Sequence, residues 1–171
     1  MDRSKAARAA TVEQLYEAHI TRALRLAYLV CGDRDVADDL AHDAFERAIG
    51  RFHHLRNPEL FWPYLRRSII NGASSWWRRR VTERVALARH DAQPKPPPAT
   101  STVEDRDPLW RIVRTLPVRQ RTALILRYFE DLSEQESALV MGCSRAAVRS
   151  LTTRGLNALR DRISQENSDG S

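Results

Sequence analysis

Two helical patterns joined by a glycine turn, in residues 132–163, constrain the fold of this chain more than any other stretch. Ser133 precedes Glu136 by the spacing of a capping box, and an apolar run follows. Gly142 supplies a residue that can turn at positive φ, and Ser144 can accept the first free N–H groups of a second helix. The sequence therefore predicts a short helix, a tight turn and a longer helix.

The second of these helices has two unlike faces. At 100° per residue, one face is apolar and carries Val148, Leu151, Gly155, Leu159 and Ile163. The other face is polar and cationic and carries Ala146, Arg149, Ser150, Thr153, Arg154 and Asn157. Arginine pairs bidentately with guanine, and serine or threonine bonds a base edge or a phosphate, so this face suits the major groove of DNA. An ordinary helical hairpin with a solvated basic face is the alternative interpretation.

The composition indicates a soluble globular protein with a polyanionic partner. The chain has 171 residues, of which 42% are hydrophobic and 29% charged, which is enough for one ordinary domain or two small ones. The net charge of +6 favours nucleic acid over an acidic small molecule as the partner. A solvated basic surface is again the alternative.

Several classes of protein are disfavoured. No apolar run approaches the roughly 18 residues of a membrane span, and the first residues lack the apolar core of a signal peptide, so we expect a cytoplasmic protein. Cys31 and Cys143 lie in or beside apolar helical segments and are interpreted as buried thiols. No zinc-type ligand spacing, nucleophile pair, carboxylate cluster or phosphate-binding glycine loop is recognisable. We therefore predict no metal, no cofactor and no enzymatic activity.

The chain before residue 60 predicts two further helices. Residues 12–31 have the spacing of a long core helix, and Asp33 or Asp35 begins the next one. One side of that second helix is apolar, and the other is acidic, with Asp39, Asp43 and Glu46 on it and Asp38 at its edge. In a chain of positive net charge this acidic face is a candidate docking surface, and a solvated face is the alternative.

A third helical pattern follows the predicted loop 53–58 and interleaves aromatic residues with arginines as far as the run WWRRR at 76–80. Such a mixture suits single-stranded nucleic acid, because every base offers a stacking face and every nucleotide a phosphate. For Phe61 and Trp62 the sequence does not distinguish packing in the core from contact with DNA.

A proline-rich stretch, residues 91–104, divides the chain and cannot form a core element. It predicts a spacer that its prolines keep stiff and extended over part of its length, with a proline-rich ligand as the alternative. We therefore predict an all-α fold with two small helical domains: a flexible N-terminus 1–11, a first domain 12–90, a flexible linker 91–107, a second domain 108–163 and a disordered tail 164–171.

Three runs, in this order, resemble the sigma-70 family of bacterial RNA polymerase sigma factors, and specifically its compact extracytoplasmic-function (ECF) group. Residues 38–45, DDLAHDAF, resemble the family's core-binding run E-D-L-V-Q-E-T-F. Residues 64–71 and the Trp-Arg cluster after them resemble the promoter −10 helix. Leu116-Pro117, followed by the run 132–144, resembles the −35 domain. The chain departs from the family pattern at Ile49, where tryptophan is usual, and at Ser137, where isoleucine is common.

The resemblance implies an ECF-type sigma factor, built from sigma region 2 and a helix-turn-helix sigma region 4, that binds core RNA polymerase and directs promoter recognition and DNA opening. The acidic helix would dock on the polymerase β′ subunit through Asp38, Asp39, Leu40, His42, Asp43, Phe45 and Glu46. The unpaired −10 strand would be bound by His54, Arg56, Asn57, Phe61, Trp62, Arg67, Asn71, Ser74 and Arg78. The −35 element would be read by Ser144, Arg145, Ala146, Arg149, Ser150, Thr153 and Arg154.

The implied partners are core RNA polymerase, through its β′ and β subunits, and promoter DNA, with the free protein a monomer. An anti-sigma protein, common in the family, would cover the polymerase-binding face. The competing hypothesis is a free-standing helix-turn-helix transcriptional regulator that binds operator DNA alone. Such a regulator does not need the acidic helix face.

Overall fold

The computed structural model describes residues 3–52, 58–88 and 107–169, and within them it contains helices and no strand. The prediction of an all-α fold is therefore confirmed. A 3₁₀ turn at Pro58–Leu60 precedes α3, and a π turn at Ile125–Phe129 follows α5. The helices are α1 Arg3–Cys31, α2 Arg34–Phe52, α3 Phe61–Ala88, α4 Pro108–Arg114, α5 Val118–Leu124, α6 Glu134–Met141 and α7 Arg145–Asp169.

Both terminal helices are longer than predicted. The first helix begins at Arg3 rather than at Val12, because the alanines and basic residues before Val12 are strong helix formers. The last helix continues to Asp169 rather than ending at Ile163. There the hydroxyl of Ser164 donates to the Arg160 carbonyl at 3.0 Å, so the serine hydroxyl bonds within the helix.

Two compact units divide the chain, Met1–Ser75 and Trp76–Ser171, with the division inside α3. The predicted domain boundary, the linker 91–107, lies outside the described residues apart from Asp107, and it stays a prediction. Asp107 caps α4, since its Oδ1 accepts a hydrogen bond from the Leu109 N–H at 2.9 Å.

In the first unit, α1 packs against α2, and buried side chains of α3 complete the core. Asp33, one of the two predicted starts, caps α2, because its Oδ1 accepts from the Val36 N–H at 3.1 Å. The next helix comes very close to α2, and a Cβ added at Gly72 would lie 2.8 Å from Leu40 Cδ2. The largest fully buried side chains of this unit are Leu26, Val30, Phe61, Leu65, Ile69 and Ile70.

In the second unit, the predicted helix, turn and longer helix are confirmed. Ser133 and Glu136 form both bonds of the capping box: the Glu136 N–H donates to Ser133 Oγ at 3.1 Å, and the Ser133 N–H donates to Glu136 Oε2 at 2.7 Å. Gly142 ends α6 with φ of 61°, a left-handed conformation that favours glycine. Ser144 caps α7 by accepting from the Ala147 N–H at 3.1 Å. Local sequence signals therefore determine this motif.

The apolar face predicted for α7 packs against α5. Val148, Leu151 and Gly155 are buried, and a Cβ added at Gly155 would lie 2.9 Å from Leu124 Cδ1. Glycine at this position therefore allows the two helices to approach closely. That approach positions the opposite face of α7 in solvent.

The segment after α5 is wound more widely than a regular α-helix. The Glu130 N–H donates to the Ile125 carbonyl at 2.9 Å, which is the five-residue spacing of a π turn. Asp131 then adopts a positive φ of 54°, and the Arg127 guanidinium donates to the Leu132 carbonyl. The wider turn leaves Tyr128 on the surface with 62% of its area exposed.

Replacing Ser137 by alanine should stabilise the protein. Ser137 is 0% exposed, and its hydroxyl has no hydrogen-bond partner among the described residues. Because an unpaired buried hydroxyl costs about 1–3 kcal/mol, we expect Ser137→Ala to raise the free energy of unfolding by about 1 kcal/mol. Thermal denaturation followed by circular dichroism measures the change. Ser150→Ala, at an exposed position, is the control, and a destabilised Ser137→Ala variant would contradict the expectation.

Candidate nucleic-acid and partner-binding surfaces

The acidic face predicted for α2 is exposed. The side chains of Ala37, Ala41, Ala44 and Ala48 are buried on the opposite side, so the helix divides as its periodicity predicts. Among the described residues, the carboxylates of Asp39, Asp43 and Glu46 form no ion pair. Their charge therefore points into solvent. The exposed polar residues of this face are Asp38, Asp39, His42, Asp43 and Glu46.

His42 is held at the edge of the acidic face. Its Nδ1 lies 2.8 Å from the Asp38 carbonyl, which can only accept, so Nδ1 carries a proton. Its Nε2 lies 3.4 Å from the Tyr16 hydroxyl, which donates to that nitrogen when the ring is neutral. The imidazole therefore has a fixed orientation between α1 and α2.

Two of the apolar residues predicted for docking have other contacts. Phe45 is only 2% exposed, and its ring packs 5.0 Å from Tyr16 and 5.8 Å from Phe61. We therefore assign Phe45 to the core, where it supports α2 from behind. Leu40 is half-buried against Gly72, with its remaining surface next to the acidic residues.

A polar stripe runs along α3. Arg67, Asn71 and Ser74 are exposed, and Arg78 continues the same spacing along the helix. Residues separated by four, seven and eleven positions return to nearly the same side of an α-helix. Arg67, Asn71 and Ser74, which belong to one compact unit, therefore lie along one line of the helix surface.

Phe61 and Trp62, which the sequence left open, belong to the packed interior. Phe61 is completely buried, and the Trp62 ring is buried with His19 stacked on it at 5.8 Å and the Arg22 guanidinium 4.0 Å away. Burial, and then the charge of Arg22, lower the pKa of His19. Since neither aromatic ring offers a free face for a base, we remove both from the predicted −10 surface. His54, Arg56 and Asn57 lie outside the described residues.

All the predicted −35 residues are exposed, six of them on α7 and Ser144 at the cap of that helix. The Oγ of Ser144 accepts the capping hydrogen bond of α7. Ser144 is therefore part of this surface because it lies at the start of the helix. The Arg154 Nε lies 3.4 Å from the Ser150 carbonyl, within the same helix. The exposed residues are Ser144, Arg145, Ala146, Arg149, Ser150, Thr153 and Arg154.

Sequence reasoning missed one residue of this surface, Glu134 of α6. Its carboxylate accepts two bonds from the Arg149 guanidinium, Nε to Oε1 at 3.1 Å and Nη2 to Oε2 at 2.9 Å. The Arg145 Nε lies 3.5 Å from the same Oε2. Hydrogen bonding to Arg149 lowers the pKa of Glu134, and the same bond raises the pKa of Arg149. No local pattern could reveal this pair, because its members lie on different helices.

Within the described part of the chain, no helix has the length and apolarity to cross a membrane. The same residues contain no group of three or more histidine, cysteine, aspartate or glutamate side chains arranged to hold a metal ion.

Two family models match the chain: "Sigma-70 region 2" over residues 15–82 and "Sigma-70, region 4" over residues 106–159. The chain is 34% identical over 140 residues to the RNA polymerase sigma-E factor of Streptomyces coelicolor, covering 82% of this chain and 78% of that protein. It is 29% identical over 171 residues to the ECF RNA polymerase sigma factor SigE of Mycolicibacterium smegmatis, covering 92% of this chain and 63% of that protein.

Two solved structures share the fold. One is the sigma factor RpoE of Bartonella quintana in complex with the anti-sigma factor NepR, with a TM-score of 0.64, 20% identity, and coverage of 89% of this chain and 96% of that one. The other is CnrH in complex with the cytosolic domain of CnrY, with a TM-score of 0.62, 21% identity, and coverage of 92% and 90%.

Proposed function

Because this chain belongs to the sigma-70 family of RNA polymerase sigma factors, and within it to the ECF group, we propose that its three exposed polar faces divide the steps of transcription initiation. The acidic face of α2 docks on core RNA polymerase, the polar stripe of α3 binds the −10 strand, and the cationic face of α7 reads the −35 element. The polymerase supplies the catalysis, and this chain supplies promoter choice. Its place of action is the cytoplasm.

The observation that carries the proposal is that the exposed face of α2 is negatively charged, whereas those of α3 and α7 are positively charged. The α2 face presents Asp39, Asp43 and Glu46 without an ion pair to any described residue, which is unfavourable for contact with DNA but favourable for contact with a basic protein surface. The exposed faces of α3 and α7 instead present arginines among hydrogen-bonding side chains. One chain therefore carries a protein-docking surface and two nucleic-acid surfaces.

The competing hypothesis of a free-standing regulator is not favoured. The sigma region 2 match, residues 15–82, contains the acidic α2, and an operator-binding protein has no use for a second module of this kind. The residues we propose for polymerase docking are Asp38, Asp39, Leu40, His42, Asp43 and Glu46.

The described residues that we propose for −10 binding lie on α3: Arg67, Asn71, Ser74 and Arg78. Asn71 can donate to and accept from the edge of an unpaired base, and the arginines pair with phosphates on either side. For −35 binding we propose the seven predicted residues, with Arg149 as the principal base contact: Ser144, Arg145, Ala146, Arg149, Ser150, Thr153 and Arg154.

We also propose an anti-sigma protein as a partner, because one of the solved neighbours is a sigma factor bound to an anti-sigma factor. Such an inhibitor would compete with the polymerase by covering the acidic face of α2. Free of both partners, the chain would be a monomer.

The test is reconstitution of core RNA polymerase, free of other sigma factors, with the purified chain on a library of genomic fragments. We expect transcripts whose start sites share two upstream sequence elements. If the chain does not bind core polymerase but binds duplex DNA alone, the proposal is overturned in favour of a free-standing regulator.

Replacing Arg149 by alanine should relax selectivity at one −35 position. A bidentate contact from arginine to guanine contributes about 1–3 kcal/mol of discrimination, so we expect the variant to lose about that much preference for the favoured base. Competition between promoters that differ at single −35 positions measures the effect. Arg119→Ala removes an exposed arginine of α5 as the control and should leave the ranking of promoters unchanged.

A further inference from the structure

Glu134 connects the two helices of the helix-turn-helix motif through the arginines of the reading face. It is the first residue of α6, and its two carboxylate oxygens receive Nε and Nη2 of Arg149 at 3.1 and 2.9 Å. Oε2 also lies 3.5 Å from Nε of Arg145, the first residue of α7. One acidic side chain therefore holds both arginines nearest the start of the reading helix.

This ion pair has little effect on stability. The side chains of Arg145 and Arg149 are 62% and 61% exposed, and that of Glu134 is 26% exposed. Ion pairs in such exposed positions contribute little to folding, because water screens them and the long side chains lose rotamer freedom. The main effect of the contact is on geometry, because the two bonds to Glu134 orient the Arg149 guanidinium.

The fixed direction leaves the DNA-reading part of the guanidinium free. A guanidinium has five N–H groups in a rigid plane, and Glu134 takes one from Nε and one from Nη2 of Arg149. The N–H groups that remain are both of those on Nη1 and the second on Nη2. These form the end of the fork, which can donate two parallel bonds to O6 and N7 of guanine. The same arginine can therefore bind Glu134 with its side and a base with its end.

Glu134 also changes how Arg149 interacts with DNA in general. An unrestrained arginine can turn to any nearby phosphate, which raises affinity for every sequence equally. The Glu134 carboxylate, bound to Nε and Nη2 of Arg149, compensates the charge of the guanidinium and repels phosphates. It therefore weakens binding without sequence preference, while a prepositioned fork loses less conformational entropy on contact with the correct base.

We propose that Glu134 is a specificity-determining positioning residue of the promoter reader: it holds the Arg149 guanidinium end-on toward the major groove and suppresses its contact with phosphates. This inference rests on the proposed role of α7 at the −35 element. It assigns a function to an acidic residue on a surface otherwise built for a polyanion.

The test compares the full-length wild type with Glu134→Gln, which keeps the length of the side chain and removes its charge. Polymerase carrying each protein selects from a duplex library randomised across the −35 region. We expect Glu134→Gln to lose about three- to tenfold of its preference at the position that Arg149 reads. On a random-sequence duplex, the free variant should bind more tightly than wild type, with a slope of log affinity against log salt steeper by about 0.9.

A matched control and a double variant complete the design. Asp161→Asn removes one exposed negative charge from α7 in the same unit, and it should leave selectivity unchanged. In the Arg149→Ala background, Glu134→Gln should cause no further loss of selectivity, since its effect passes through Arg149. Circular dichroism confirms that the variants are equally helical.

The outcomes distinguish failure of the proposed −35 role of Arg149 from failure of the proposed positioning role of Glu134. If Arg149→Ala leaves the selected sequences unchanged, the proposed role of Arg149 at the −35 element is wrong. If Arg149→Ala relaxes one position but Glu134→Gln does not, the −35 role stands and the positioning role of Glu134 is overturned. Loss of selectivity together with weaker binding to random duplex would also overturn it, since that combination indicates a contact from Glu134 to DNA.

Discussion

The double variant Asp39→Lys/Asp43→Lys should bind core RNA polymerase at least about 100-fold more weakly than wild type, a loss of roughly 2.7 kcal/mol. The two carboxylates lie one helical turn apart on the exposed face of α2, without an ion pair to any described residue. On a basic partner surface each reversal replaces an attraction by a repulsion, and like charges brought together at an interface cost several kcal/mol. Titration of labelled protein with core polymerase measures the affinity.

A second pair of charge reversals tests whether the loss of polymerase affinity is specific to the acidic face of α2. Glu13 and Glu17 have the same spacing, are exposed on α1, and lie in the same compact unit. Glu13→Lys/Glu17→Lys therefore changes the net charge by the same amount. We expect it to retain affinity for core polymerase within about threefold, because exposed charges outside an interface act only through screened long-range fields. Equal losses in the two double variants would show that net charge, rather than the α2 face, governs binding.

The helix-turn-helix motif could be predicted because its signals are local. The capping box joins Ser133 to Glu136, and the left-handed Gly142 and the cap of Ser144 each act within a few residues. The two faces of α7 likewise follow from spacing alone. Helix ends were less predictable at the termini, since residues 1–11 and 156–169 contain no proline or glycine that would stop a helix, and a glycine comes only at Gly170.

Tertiary contacts account for what the sequence did not reveal. Phe45 lies on the apolar side of α2, as its spacing predicts. Because it belongs to a run that resembles the family's docking motif, it was also predicted to contact the polymerase. Its contacts with Tyr16 and Phe61 bury its side chain and exclude that role. The pair of Glu134 and Arg149 depends on how α6 and α7 cross, which no spacing within either helix determines. The π turn at Ile125–Phe129 likewise contains no proline or glycine from which it could have been predicted.

Promoter opening should depend on the polar stripe of α3. We expect polymerase carrying Arg67→Ala/Asn71→Ala to form open complexes at least about 100-fold less favourably than wild type. Arg67 and Asn71 are exposed one helical turn apart, so both can contact the same unpaired strand. Hydrogen bonds to charged groups contribute about 1.5–3 kcal/mol each, and the loss of a phosphate contact together with a base contact accounts for the expected change. Permanganate reactivity of unpaired thymines measures opening on a promoter recovered by transcript mapping.

Two controls locate the defect in strand capture. Arg84→Ala removes one exposed arginine from the same helix, about 100° around from the stripe, and should open the promoter as wild type does. Affinity of the double variant for core polymerase should also match wild type, because the docking face lies on α2. A promoter with a pre-melted −10 region should bind the double variant weakly as well, since the contacts are to the unpaired strand itself. Normal binding to the pre-melted promoter would instead place the role of Arg67 and Asn71 in an earlier step, before the strands separate.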